Sequence, residues 1–255
     1  MKTILNKIIL FGTAVNLFAC GPVLYSNVGQ NVPLLKKKRE FSGQISYAES
    51  SGGWTGAGAG VQAAYAVTEK VGVISSFYSL ASPKDPNDEW KGTGSYFEFG
   101  GGVFGGIQES KFRYEGFAGI GTASINNSSL ITNRDFINVK YLKPFVQPTL
   151  AFSTEYFDIA LTPRIAYLSY TSQNDFFFSP TSEQVSPQEF FDENHGKILF
   201  EPGIMIRGGF PGVKLEIQGN FSNLKDTSEE YILINQNYFS IGLRFIIADR
   251  TLRKD

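Results

Sequence analysis

Val213-Lys214-Leu215-Glu216-Ile217-Gln218-Gly219-Asn220-Phe221-Ser222 alternates apolar with polar residues at almost every step. Successive side chains of a β-strand point to opposite faces, so Val213, Leu215, Ile217 and Phe221 share one face and Lys214, Glu216, Gln218, Asn220 and Ser222 the other. The same period runs through Gln236–Ile247, where Phe239, Ile241, Leu243, Phe245 and Ile247 oppose Ser240, Gly242 and Arg244. It recurs in Phe157–Tyr170, where Phe157, Ile159, Leu161, Ile165 and Tyr167 oppose Asp158, Thr162 and Arg164.

Working outward, the pattern predicts ten strands, with eight as the alternative count: Phe41–Glu49, Gly58–Val67, Val71–Leu80, Ser95–Gly106, Lys111–Thr122, Lys140–Phe152, Phe157–Tyr170, Ile198–Gly208, Val213–Ser222 and Gln236–Ile247. The gaps between them alternate in length. Thr68–Lys70, Ile107–Ser110, Ser153–Tyr156 and Gly209–Gly212 are tight, whereas Ser50–Ala57, Ala81–Gly94, Ala123–Val139, Thr171–Lys197 and Asn223–Asn235 are long. Antiparallel neighbours then put every tight turn on one rim and every long loop on the other. This is the plan of an outer-membrane barrel with short periplasmic turns and longer outside loops.

Alternation alone does not say which face is inside, and a soluble lipocalin-like binding barrel has the same period with its apolar face inward. Three features point the apolar face outward. The polar faces mix a few charges with glycine and other small residues. Their charges nearly cancel, with Arg113, Lys143, Arg164, Arg207, Lys214 and Arg244 against Glu98, Glu115, Asp158, Glu201 and Glu216, and buried charges are costly unless paired. Outward aromatics also cluster at strand ends: Phe41, Tyr65, Phe112, Phe152, Phe157 and Phe245 toward the short-turn rim, and Tyr47, Phe77, Phe97, Tyr167, Phe200, Phe221 and Phe239 toward the long-loop rim. Two such girdles suit the two membrane interfaces. Pro144, Pro148, Pro163 and Pro202 fall inside strands, on lipid-facing parity, where bulges are expected to take them up.

At 255 residues, with 27 Gly, 23 Phe, 12 Tyr and 18% charged residues, against about 25% in ordinary soluble chains, the composition fits one large all-β domain. A net charge of −1 offers no basic stripe, so nucleic acid is not an expected partner. Lys2 and Lys7 precede an apolar stretch from Ile8 to Phe18, the pattern of an export signal. It ends in Leu17-Phe18-Ala19-Cys20, which resembles the lipobox of bacterial lipoproteins, with Phe18 larger than that pattern prefers. Residues 1–19 are therefore expected to be a cleaved signal peptide and Cys20, the chain's one cysteine, to carry covalent lipid. No apolar run after Cys20 is long enough for a membrane helix, so a spanning chain must close as a barrel. Residues 20–40, with Pro22, Pro33 and Lys36-Lys37-Lys38-Arg39, are expected to be an extended acylated tether to the periplasmic-side leaflet. The barrel follows over 41–247, then a polar tail over 248–255.

Phe145-Val146-Gln147-Pro148, Phe200-Glu201-Pro202-Gly203 and Asn31-Val32-Pro33-Leu34 resemble recurring segments of small outer-membrane β-barrel proteins of Gram-negative bacteria, nearest to a group with a lipoprotein-type signal. The resemblance implies a fold and a place in the bacterial outer membrane, among its lipids, and no defined activity. In that class the last strand often ends the chain on an aromatic residue; here Phe245 is followed by a polar tail to Asp255.

Chemistry is sparse. His195, the single histidine, lies in the long Thr171–Lys197 loop beside Asp192, Glu193 and Asn194. A base needs a nucleophile or water within hydrogen-bond reach and an orienting carboxylate, and no such arrangement is legible. Neither a metal site nor a cofactor is expected. Gly100-Gly101-Gly102 and Gly119-Ile120-Gly121 lie within strands and are not phosphate loops. Phe176-Phe177-Phe178 and Phe190-Phe191 make the long loop either a contact surface for lipid or an extracellular ligand, or a segment packed over the barrel mouth. The expectation is a monomeric, non-enzymatic structural or surface-binding barrel lipoprotein whose interior side chains fill. A narrow passive channel and a barrel hydrolase acting on lipid A or peptides remain the alternatives.

Overall fold

A computed structural model of the chain describes residues 22–51, 57–81, 90–107, 110–131, 135–171, 176–177, 191–192, 196–224 and 233–248. In chain order the strands are β1 (Val23–Ser26), β2 (Phe41–Ser51), β3 (Ala57–Ala66), β4 (Val71–Ala81), β5 (Trp90–Gly106), β6 (Phe112–Ser129), β7 (Phe136–Ser153), β8 (Phe157–Tyr170), β9 (Phe176–Phe177), β10 (Lys197–Phe210), β11 (Val213–Phe221), β12 (Leu233–Asn235) and β13 (Asn237–Ile247). Ten of them pair in the order β6-β5-β4-β3-β2-β13-β11-β10-β8-β7, and β6 pairs with β7 to close the cylinder. Every wall pair is antiparallel. No helix among the described residues is long and apolar enough to cross a membrane.

The apolar face is the outer one. In β11, Leu215 and Ile217 are 48% and 39% exposed, while Lys214 and Glu216 are 2% and 0% exposed. This overturns the lipocalin-like alternative, which needs the reverse. All seven aromatics of the long-loop girdle are exposed, and so are Phe41, Tyr65, Phe112, Phe157 and Phe245 of the other, with Phe152 half-buried. On β8, Phe157 and Tyr167 lie about 33 Å apart along the strand. A tilt of about 40° turns that into about 25 Å of height, the hydrocarbon band of such barrels.

Three expectations change. First, β5, β6 and β7 extend well past the predicted ends, so most of the expected Ala123–Val139 loop is strand. Polarity inverts in this extension. Asn126 and Ser128 face out while Ile125 and Asn127 face in, and on β7 Lys140 faces out while Ile137 and Val139 face in. Apart from inward Asn127 and outward Phe136, these projecting ends follow the apolar-in order of a soluble barrel.

Second, the prolines need no bulge. Registers on both sides of β7, and between β8 and β10, run unshifted through all four. Between β7 and β8 the pairing simply lapses around Pro144, Pro148 and Pro163, and Pro202 lies opposite Pro163. A missing N–H is tolerated where the ladder is locally open.

Third, residues 22–40 are not a tether outside the barrel. Residues 22–35 are buried throughout, and they run down the lumen. β1 pairs in parallel with β12 at the long-loop rim, with a register shift between Val23 and Tyr25. At the other end the Arg39 N–H donates to the Ala66 carbonyl and the Lys38 N–H to Glu69, in the β3–β4 turn of the short-turn rim. Left-handed backbone at Leu34 (φ 55°) and Arg39 (φ 63°) turns the chain out of the lumen and into β2. Lys36, Lys38 and Arg39 are exposed at that rim. Residues 1–21, including the expected signal peptide and Cys20, and the tail from residue 249, lie outside the described residues.

Candidate functional site: a lumen filled by its own N-terminal segment

An eight-stranded barrel is about as wide as its inward side chains can fill. Ten strands leave extra bore, and here one extended segment occupies it. Beyond the short β1–β12 pairing, this segment must satisfy its N–H and C=O groups by other means. The wall does so largely with amide side chains. Gln218 accepts from the Gln30 N–H at 3.0 Å and donates to its carbonyl at 2.6 Å. Gln147 donates to the Asn31 carbonyl at 2.8 Å and Asn220 to that of Val28 at 2.8 Å. Asn127 accepts from the Val23 N–H and donates to its carbonyl, both at 2.9 Å. In return Asn31 donates to the wall carbonyls of Ala63 (3.0 Å) and Ser75 (3.1 Å).

Space is matched as well as polarity. A Cβ added to Gly29 would lie 2.6 Å from the Tyr78 hydroxyl and 2.8 Å from that of Tyr238. On the wall, Gly72 makes room for Leu35, and Gly203 for Gln30; an added Cβ would come within 2.7 Å and 2.6 Å of those side chains. Toward the short-turn rim, Val32 and Leu34 pack with Ala151, Ala160 and Met205. Beside the segment there remains a cavity of about 30 Å³ bordered by Val23, Val28, Tyr78, Tyr96, Ile125 and Tyr141, space for a water molecule or two.

The expected lumen charges all point inward and are brought together as separate clusters. Glu98 takes Arg164 at 3.0 Å, with Ser76 and Tyr96 donating to the same carboxylate and Gln147 accepting from the guanidinium. Lys143 lies 3.0 Å from Glu201, which also accepts the Tyr25 hydroxyl of the threaded segment at 2.5 Å. Glu216 sits between Arg207 and Arg244, and Arg207 reaches on to the carbonyl of Val32. Lys214 pairs with Asp158 at 2.8 Å. Glu115 accepts the Leu35 N–H at 2.8 Å, while Arg113, half-buried at the short-turn end, donates to the Leu35 carbonyl at 2.6 Å. Beside that rim, burial raises the Glu40 carboxyl above its ordinary range, opposed by the nearby Lys36 charge. These groups hold one another and the threaded chain.

Sequence reasoning located the charges and missed the threaded segment. A signal existed: residues 22–35 carry no Asp, Glu, Lys or Arg before the basic run begins at Lys36, an unusual composition for a solvated linker. His195 lies outside the described residues. Among those described, no cluster of three His, Cys, Asp or Glu could hold a metal ion. Of the long loop, Phe191 is fully buried against Tyr170, ring centroids 5.1 Å apart, so this residue packs into the barrel mouth.

No protein-family model matches the chain, and no curated protein matches it. Solved barrels resemble it in shape. The attachment invasion locus protein Ail of Yersinia pestis is 13% identical, with 82% of this chain and 99% of that one covered and a TM-score of 0.39. The outer membrane protease OmpT from Escherichia coli is 10% identical, with 82% and 94% covered and a TM-score of 0.41. The NanC porin is 8% identical, with 80% and 98% covered and a TM-score of 0.34. None of them carries an activity or a partner over to this chain.

Proposed function

We propose that this protein is a barrel lipoprotein of the bacterial outer membrane, exported by a signal peptide, acylated at Cys20, and structural or surface-binding rather than catalytic. Hydrocarbon is the environment that suits an outer face of exposed Ile, Leu, Val and Phe between two aromatic girdles. The lipobox-like Leu17-Phe18-Ala19-Cys20 supports acylation. The observation that carries the non-conducting, non-catalytic reading is the lumen itself: residues 22–35 fill it, nine of its eleven charges form internal pairs, and Arg113 and Glu115 hold the Leu35 backbone. The narrow-channel alternative would need that segment to leave.

Purified full-length protein in planar bilayers tests this. It is expected to migrate as a heat-modifiable barrel and to give no discrete conductance steps. Steps that change on Arg164→Gln or Glu201→Gln would instead make it a channel. Labelled palmitate incorporation should vanish in Cys20→Ser; incorporation that persists there would rule out acylation at this site.

A further inference from the structure

The direction of the threaded segment decides where the chain's N-terminal end lies. Val23 is fixed at the long-loop rim by paired hydrogen bonds to Asn127 near the end of β6 and by pairing with β12, which lies between β11 and β13 on that same rim. The Asn27 N–H donates to Asn235 there, and the Tyr170 hydroxyl donates to Leu24. The chain reaches the short-turn rim only at Leu35, held by Glu115 and Arg113. Cys20 is three residues before Val23, and three residues span at most about 11 Å. The two rims are separated by the full hydrocarbon thickness, about 25 Å. Cys20 therefore cannot reach the short-turn side while Val23 stays in place.

We propose that the barrel threads its N-terminal end outward, so that Cys20 lies on the long-loop, outside face and its lipid enters the outer leaflet rather than the periplasmic-side one. The inference rests on the membrane reading above and fixes its sidedness. It also gives the lipid a task that the spanning barrel leaves open. A barrel needs no acyl chain to stay in a membrane, but an acyl chain outside the mouth stops residues 22–35 from sliding inward, because retreat would drag hydrocarbon through a polar lumen.

The test uses the full-length chain in intact Gram-negative cells, with one epitope tag at a time. The candidate position is between Gly21 and Pro22; an outside control lies in the 82–89 loop and an inside control between Pro211 and Gly212. The Gly21/Pro22 tag and the 82–89 tag are expected to bind antibody on intact cells, and the Pro211/Gly212 tag only after the outer membrane is permeabilised. A Gly21/Pro22 tag that behaves like the Pro211/Gly212 tag overturns the proposal while leaving the barrel reading intact. An 82–89 tag that is also hidden in intact cells overturns the membrane orientation itself, and the proposal with it. A tag-free variant guards against disturbance by the insertion. The Ser26 and Ser50 hydroxyls lie 3.0 Å apart where the threaded segment meets the long-loop end of β2, so Ser26→Cys/Ser50→Cys should form a disulfide in protein extracted from membranes. Failure of this pair to form contradicts the threading.

Discussion

Glu201 binds the wall to the threaded segment at a single carboxylate, taking Lys143 from β7 and the Tyr25 hydroxyl from β1, while its own carbonyl accepts from Gln30. Removing one partner of a buried pair leaves an uncompensated charge, at a cost of about 3–5 kcal/mol, whereas replacing both with apolar residues of similar size is often near neutral. Glu201→Gln should therefore lower the unfolding free energy of the refolded protein, read from denaturant titration, by about 3 kcal/mol. Glu201→Leu/Lys143→Met should recover most of the loss, leaving the deficit of the unpaired Tyr25 hydroxyl. Additive losses in this cycle would show that the two side chains do not meet. The inward parity of Glu201, Lys143 and the other charges was legible, because period two allows each residue only one of two faces. Their partners were not legible, because which inward residues meet depends on strand register and on a segment that does not belong to the wall.

At the scale of elements, the sequence shows clearly the strands that meet lipid and shows poorly the parts that do not. β2, β8 and β11 read cleanly, since apolar and polar residues alternate along nearly their whole length; β4 was bounded as well, although Ile74 and Tyr78 point inward and Ser75 and Ser79 outward. β5, β6 and β7 were read short because their polarity reverses above the girdle, where Asn126 and Ser128 look like loop residues yet continue the ladder to Ser129. The reversal predicts a depth-dependent response. Lysine on the lipid face costs about 2–4 kcal/mol near the bilayer midplane and about 0–1 kcal/mol near the interfaces. Val146→Lys on β7, 57% exposed within the apolar band, should lower folding stability in phospholipid vesicles by about that larger amount. Asn126→Lys on the projecting end of β6 should fall within about 0.5 kcal/mol of the parent. Equal costs at the two positions would place the membrane boundary elsewhere. β1 was missed for another reason: it forms no part of the alternating wall, and its burial follows from the spare bore of a ten-stranded cylinder rather than from its own periodicity.

The whole molecule has two polarity regimes in one cylinder, with ionic clusters inside and apolar residues outside through the membrane band, then an apolar interior and a polar exterior above it. The chain's own first residues tie the regimes together, with Val23, Leu24 and Tyr25 in the upper apolar core and residues 30–35 among the amides and charges below. The alternating short and long gaps conveyed this closure at once, because antiparallel neighbours leave no other place for the loops. The lumen contents were beyond that reasoning, which treats connections as lying outside the wall. The central claim is the orientation of the wall, and a nitroxide scan of positions 213–221 in vesicles tests it most directly. Labels at 213, 215, 217 and 221 should collide freely with lipid-dissolved oxygen, while those at 214, 216, 218 and 220 should be sheltered from it. Oxygen exposure that is uniform along the strand, or that favours the even positions, would contradict the account.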